Sequence, residues 1–215
     1  MDELLAEQVR YYRQRASEYD TTSRPPGDPL AAIAANAHEA LRALGPVDTL
    51  IELGAGTGAF TQVAATIARR VVAVDASPEM LDRNRAKVDA ANVEYVVADV
   101  YGWTPAVRAE LVLFTFLLSH VPRARFTAFW QRVEAMLAPG GRVFLLDEGA
   151  HELWREEVAA DDDPEIVTRT LSDGRRFRIV KVFWDPDELA SELSDLGWRS
   201  ELVREDPFYW GVVRR

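Results

Sequence analysis

Three carboxylates and three glycines carry most of the chemistry legible in this chain. Gly54, Gly56 and Gly58 alternate in Glu52-Leu53-Gly54-Ala55-Gly56-Thr57-Gly58, directly after the apolar run Val47 to Leu53. Glycine is wanted in such a turn because a Cβ would block both the tight backbone and the close approach of a ligand. A strand, a glycine turn and a helix N-terminus together cradle a nucleotide-like molecule. Glu52 stands just before the turn, and Asp75 and Asp99 each follow a further apolar run. Carboxylates there accept hydrogen bonds from ribose hydroxyls, an ammonium group or an adenine amino group. Cysteine is absent, which removes thiolate nucleophiles, disulfides and Cys-based zinc sites. The three histidines, 38, 120 and 151, lie far apart and without helical i, i+4 pairing, so no structural metal is expected.

The elements that must position these residues alternate from Val47 onward. Strand patterns cover Thr49–Leu53, Val71–Val74, Val93–Ala98, Leu111–Phe116 and Arg142–Leu146. Helical patterns cover Ala59–Arg70, Pro78–Ala90 and Arg123–Leu137, with Ser77 as N-cap and Pro78 in the first helical position. Near-continuous apolar strands are those of a parallel sheet covered on both faces, joined by right-handed crossovers. Before this core, residues 2 to about 19 read as an amphipathic helix, Thr21 to Pro29 as a linker rich in proline, and Leu30 to Leu44 as an alanine-rich helix stopped by Gly45-Pro46. After Leu146 the rhythm changes. His151 to Glu157 reads as helical and 159–164 as an acidic loop. Ile166–Leu171 and Arg175–Phe183 form β runs around Ser172-Asp173-Gly174, and a helix runs from Pro186 to Leu196. Arg199–Arg204 and Phe208–Arg214 are linked too closely for a parallel crossover, so they form an antiparallel hairpin. The expected architecture is an α/β, Rossmann-like, open and mostly parallel seven-stranded sheet. It has an N-terminal helical lid, a β-rich insertion after strand 5 and a closing antiparallel hairpin. One domain spans 1–215, divided into lid (1–45), core (46–148), acceptor-side insertion (149–184) and last helix with hairpin (185–215).

A net charge of −10 argues against a nucleic-acid partner, whose phosphates demand a basic surface. No run resembles a membrane span, and the acidic start Met1-Asp2-Glu3 does not read as a secretory signal. A soluble cytoplasmic protein is expected, with a homodimer allowed.

Two ligand classes compete for the glycine loop. Gly54, Gly56 and Ala59 satisfy a dinucleotide fingerprint, and Asp75 sits about 20 residues on, where a ribose contact belongs. An NAD(P)-dependent oxidoreductase is therefore the alternative. It has little beyond the loop, because no Tyr-x-x-x-Lys pair exists among Lys87 and Lys181. Glu52 tilts the balance, since a carboxylate there repels a pyrophosphate and suits a ligand carrying an ammonium group. Gly58 and Asp99 tilt it further.

These residues carry a resemblance. Glu52 to Gly58, Val74-Asp75-Ala76-Ser77 and Ala98-Asp99-Val100 resemble the first three motifs of class I S-adenosylmethionine (SAM) dependent methyltransferases. Leu137-Ala138-Pro139-Gly140-Gly141-Arg142-Val143 is similar to that family's turn into its fifth strand. The likeness covers Val47 to Leu146 well and the ends more loosely. It implies SAM as cofactor and methyl transfer to a small-molecule acceptor, at O, N or C. A SAM-binding protein without methyl transfer shares the same motifs. By the resemblance, Gly54, Ala55, Gly56 and Gly58 lie against the methionine moiety, and Glu52 orders the loop and meets the amino group. Asp75 takes the ribose hydroxyls beside Ala76, Met80 packs on adenine, and Asp99 with the Val100 amide reads its edge. Tyr11-Tyr12 and Tyr19 resemble the family's N-terminal lid, where aromatic groups approach the sulfonium and carboxylate. Tyr101-Gly102-Trp103 and Ala109-Glu110 depart from the pattern at the adenine cap and the fourth strand.

The resemblance places the acceptor just after the fourth strand, at Thr115-Phe116-Leu117-Leu118-Ser119-His120. His120 is the candidate base and Tyr12 a second candidate; a capping or SAM-contacting role for His120 stays open. Glu148 reads as a surface or helix-start charge with acceptor contact as the alternative. Arg175, Arg176, Arg178 and Lys181 read as a salt-bridged solvated face, with contact between one of them and an acidic acceptor as the alternative, and Trp154, Phe177 and Phe183 as packing or pocket lining.

Overall fold

The computed structural model describes residues 1–23, 31–149 and 163–215. Seven strands form one sheet: β1 (Val47–Leu53), β2 (Ala68–Asp75), β3 (Val93–Val97), β4 (Ala109–Thr115), β5 (Leu137–Glu148) and, from the C-terminal part, β8 (Arg199–Glu205) and β9 (Phe208–Arg214). Between β5 and β8 lies a separate two-stranded sheet, β6 (Ile166–Thr170) and β7 (Arg176–Val180). The strand order is β3-β2-β1-β4-β5-β9-β8. The first five strands run parallel, and β9 is antiparallel to both of its neighbours. The expected architecture is thus observed, closing hairpin included.

Alternation along the strands supplies two cores, one on each face. Ile51, Leu53, Val72, Val112 and Phe114 face a cluster with Phe129, Trp130 and Val133 of α6 (Phe126–Met136) and Leu189 and Leu193 of α7 (Pro186–Asp195). Leu50, Val71, Leu111, Leu113 and Phe144 face the other way, onto α3 (Ala31–Arg42) and α4 (Thr61–Ile67). The order reverses between β1 and β4, so chains leaving their carboxyl ends diverge and open a crevice. That is where a doubly wound sheet binds ligands.

Several boundaries differ from the sequence reading for identifiable reasons. The helix expected to run to Arg70 stops at Ile67, because Ala68 and Arg70 pair with Val47 and Thr49 and lengthen β2. β5 begins at Leu137 rather than Arg142, carried through the glycines by pairing with Ala109 and a register shift before Leu111. The first helix, α1 (Asp2–Arg15), ends early, and a short α2 (Tyr19–Ser23) takes Thr21–Ser23, which the sequence reading gave to the linker. Ser77 caps α5 (Pro78–Lys87), accepting from the Met80 amide at 3.1 Å as expected. The rest of the linker, the expected helix His151–Glu157 with Trp154, and most of the acidic loop lie outside the described residues.

The β6–β7 hairpin packs on α1 through Val167, Leu171, Ile179 and Tyr11. Phe177 belongs to this packing, 5.8 Å from the Tyr11 ring, rather than to a pocket wall. Helix α1 therefore crosses the crevice with one side against the hairpin. Its other side is tied to α5 by a bidentate Arg13–Glu79 pair. The latch at Asp20, which accepts from Thr57 and from Lys87, closes the same lid over the glycine loop.

Candidate active site in the crevice under the N-terminal helices

The glycine loop leaves β1 with all three glycines in the left-handed region, φ 65°, 50° and 92°. Their reasons differ. A Cβ on Gly58 would lie 2.6 Å from Asn84 Oδ1, so packing demands that glycine, and Gly58 faces α5 rather than the crevice. A Cβ on Gly56 would meet nothing nearer than 3.9 Å and would project into open crevice. That opening is the space a ligand needs against the backbone.

The three carboxylates occupy successive strand ends. Asp75 accepts from the Gly56 amide at 2.9 Å and the Ser77 amide at 2.8 Å, so it fixes the loop while still facing the cavity. Burial raises its pKa against the lowering effect of those amides. Asp99 is exposed, lines the same cavity and accepts from the Tyr101 amide at 2.9 Å. Met80, Ala76 and Val100 complete this apolar, carboxylate-edged slot. Glu52 is 2% exposed and accepts from Thr61 Oγ1 at 2.6 Å. Burial, opposed by Thr61 and reinforced by Asp75, pushes its pKa up to about 8.

The neutral Glu52 yields a prediction for the ligand-free protein. A carboxyl raised from its unfolded value binds more protons when folded, so its contribution to stability is present at low pH. That contribution is lost as pH rises toward about 8. Stability should fall between pH 5 and 8 in the wild type. Glu52→Gln should flatten that slope, by roughly 1.4 kcal/mol per pH unit at most, in denaturant melts across the range.

A second cavity continues past the loop and shares Tyr12, Tyr19, Gly54, Gly56, Phe116 and His120 with the first. Glu52, Ala55, Tyr11, Arg15, Glu148, Arg169 and Lys181 also line it. The Arg15 guanidinium lies 4.8 Å from the Tyr19 ring centre and 5.7 Å from that of Tyr11. Phe116 takes φ 53°, a left-handed conformation rare for a bulky side chain, where β4 ends at the crevice.

His120 ends a tight turn, Leu118–His120, that is clamped from both sides. Asp147 accepts from the Ser119 amide at 2.9 Å, and the Val182 amide donates to Ser119 O at 2.7 Å. His120 Nδ1 sits 2.7 Å from the carbonyl of Val180, which can only accept, so Nδ1 bears the proton. Nε2 is then the acceptor for the Tyr12 hydroxyl at 2.6 Å. Burial, then the nearby cations Lys181, Arg169 and Arg15, hold the imidazole well below the usual histidine range despite the Val180 bond. His120 is neutral at physiological pH.

Lys181 and Glu148 depart from the sequence reading. Lys181 is buried rather than on a solvated face, donating to Ser119 Oγ at 3.0 Å and ion-paired with Glu148. Glu148 is therefore a cavity-wall charge and not a surface one. Arg175 and Arg178 do behave as expected, paired at the surface with Asp173 and Glu7. The crevice thus gathers every predicted site residue except Gly58. It adds Arg15, Arg169 and Lys181, while Asn84, on the buried stripe Met80-Leu81-Asn84, lies behind the loop and not in the crevice. Among the described residues no group of His, Asp and Glu is arranged to hold a metal, and no helix is long and apolar enough to cross a membrane.

The fold and crevice define an α/β protein that binds an adenosyl ligand along the carboxyl edge of its sheet. Comparison with known proteins makes the class specific. Residues 50–141 match the family described as "Methyltransferase domain". Solved structures of DhpI, one with SAH and one with SAM and HEP, are 38% and 40% identical to this chain, with TM-scores of 0.86 and 0.84. Each alignment covers at least 99% of this chain and 98% of the other. Nodulation protein S of Rhizobium tropici is 28% identical over 143 residues, which are 64% of this chain and 59% of that protein. The chain belongs to the class I SAM-dependent methyltransferases, and SAM is the cofactor for which the crevice is built. The dinucleotide alternative gains nothing from these comparisons.

Proposed function

We propose that this protein transfers the methyl group of SAM to a small acceptor that carries its own oxyanion. The single observation behind the acceptor class is the wall of the second cavity, where Arg15, Arg169 and Lys181 converge around a neutral His120. Bound SAM supplies a methyl on a positively charged sulfur, ready for in-line displacement. The chain must then align donor and nucleophile and exclude water, for which orientation alone supplies roughly 7–11 kcal/mol.

In this reading Asp75 holds the ribose hydroxyls, Met80 covers adenine, and Asp99 with the Val100 amide reads its edge. Glu52 ionises against the amino group. Tyr11, Tyr12 and Tyr19 bring aromatic groups over the cation. Helix α1 and the β6–β7 hairpin close the space. An alcohol or protonated amine would need a base, and a histidine held well below its usual pKa by burial and three cations is a weak one. An oxyanion needs none: the same cations that keep His120 neutral would hold the acceptor. His120 then orients the Tyr12 hydroxyl instead of removing a proton. A relative 40% identical that is solved with SAM and HEP together supports a donor and a second small molecule sharing one crevice. The net charge of −10 keeps the proposed acceptor among metabolites and not nucleic acids, and the proposed location is the cytoplasm.

Methyl transfer from radiolabelled SAM to matched pairs of metabolites tests this. Carboxylates and phosphomonoesters should be turned over at least tenfold faster than the neutral alcohols and amides of the same shape. Equal turnover of the neutral partners would remove the oxyanion reading, and transfer to none of the pools would remove the methyltransferase activity.

A further inference from the structure

Behind the glycine loop stands a fully buried amide for which the site description has no use. Asn84, on the inner face of α5, is 0% exposed. Its Nδ2 lies 2.8 Å from Thr61 Oγ1 and 3.3 Å from each of the carbonyl oxygens of Ala55 and Gly56. Its Oδ1 accepts from the Tyr95 hydroxyl at 3.2 Å and touches the α-carbon side of Gly58. An amide nitrogen has two hydrogens: one serves Thr61, and the other is shared by the two loop carbonyls. The orientation is fixed by the partners, since the reversed amide would set its oxygen against both carbonyls. Because Thr61 Oγ1 accepts from Asn84, its own hydrogen is directed to Glu52 Oε2, 2.6 Å away. A single chain of donors therefore runs from Tyr95 on β3, through Asn84 and Thr61, to the carboxyl group of Glu52 on β1.

We propose that Asn84 is a positioning residue for the amino-acid end of SAM, holding the glycine-loop carbonyls from behind and orienting the Glu52 carboxylate through the Thr61 hydroxyl. The inference rests on the methyltransferase reading and deepens it. The adenosine end is assigned to other groups, the side chains of Asp75, Met80 and Asp99, none of which is a hydrogen-bond partner of the Asn84 side chain. Its influence is accordingly selective. It also explains Gly58, which faces no ligand: any side chain there would displace the amide that sets the loop.

Equilibrium binding by calorimetry tests the selectivity with two ligands, SAM and 5′-methylthioadenosine, which keeps the adenosine and sulfur but lacks the amino-acid arm. Asn84→Asp has the same shape with no donor hydrogens. It should weaken SAM by about thirtyfold or more, the scale of two lost hydrogen bonds, and change methylthioadenosine by about threefold or less. Thr61→Val should weaken SAM by about tenfold with methylthioadenosine unchanged, and Thr61→Ser should restore SAM binding. Should Asn84→Asp not fold, the near-isosteric Thr61 pair decides the matter. Equal losses for the two ligands, or SAM binding unchanged in Thr61→Val, would overturn the inference while leaving the methyltransferase reading intact. A wild-type protein that binds methylthioadenosine and SAM not at all would overturn both.

Discussion

Asp75→Ala is expected to weaken SAM and SAH binding by at least about a hundredfold, since two hydrogen bonds to a charged group are worth roughly 1.5–3 kcal/mol each. The loss has two sources. The ribose hydroxyls lose their acceptor, and the Gly56 and Ser77 amides, 2.9 and 2.8 Å from its oxygens, lose the tether that holds the loop against the strand. Asp75→Asn separates them. It keeps an oxygen for one amide but turns an NH2 toward the other, so binding should fall to an intermediate value. Calorimetry with SAH measures both, and circular dichroism melts verify that each variant is folded. A destabilised protein with unchanged SAH affinity would mean that Asp75 serves the fold alone.

Asp75 also shows why so much of the donor side was legible in the sequence. The residues proposed to hold the adenosyl ligand sit at strand ends, each a short step beyond an apolar run, so periodicity and glycine spacing locate them without tertiary information. The acceptor side offers no such code. Lys181 and Glu148 are distant in sequence and each looks like a surface charge. They become a pair, with Lys181 buried and Glu148 half-buried, only because the chain leaving β7 passes the carboxyl end of β5. Arg169 and Arg15 reach the same cavity from a hairpin strand and a lid helix. Element boundaries failed in the same manner. Ala68 to Arg70 continue a helical pattern, yet pairing with β1 wins them for the sheet. Asn84 lies between these cases: its burial was readable from the helix stripe, while its partners were not.

Lys181→Met should lower kcat/KM for the acceptor by about a hundredfold and leave SAH affinity within about twofold. The size follows from charge: a cation about 5 Å from an oxyanion contributes roughly 3 kcal/mol at an effective dielectric near 20. The side chain is 5% exposed, and its removal strands Glu148, 17% exposed, as an unneutralised carboxylate on the same wall. An arriving anion therefore loses an attraction and meets a repulsion. Adding Glu148→Gln to Lys181→Met tests that account, because the double variant restores the net charge of the wall without restoring the ammonium group. Recovery of about tenfold in kcat/KM would show that the pair acts by balancing the field around Arg169 and His120. No recovery would place the ammonium group in direct contact with the acceptor. Either outcome keeps the acceptor anionic. A Lys181→Met enzyme with kcat/KM within threefold of wild type would not, and it would return His120 to consideration as the group that must take a proton. The distinction matters because the two sites answer different questions. In the proposed reading the glycine loop and its carboxylates would specify the donor, whereas the Lys181–Glu148 ion pair would decide which nucleophile the methyl group meets.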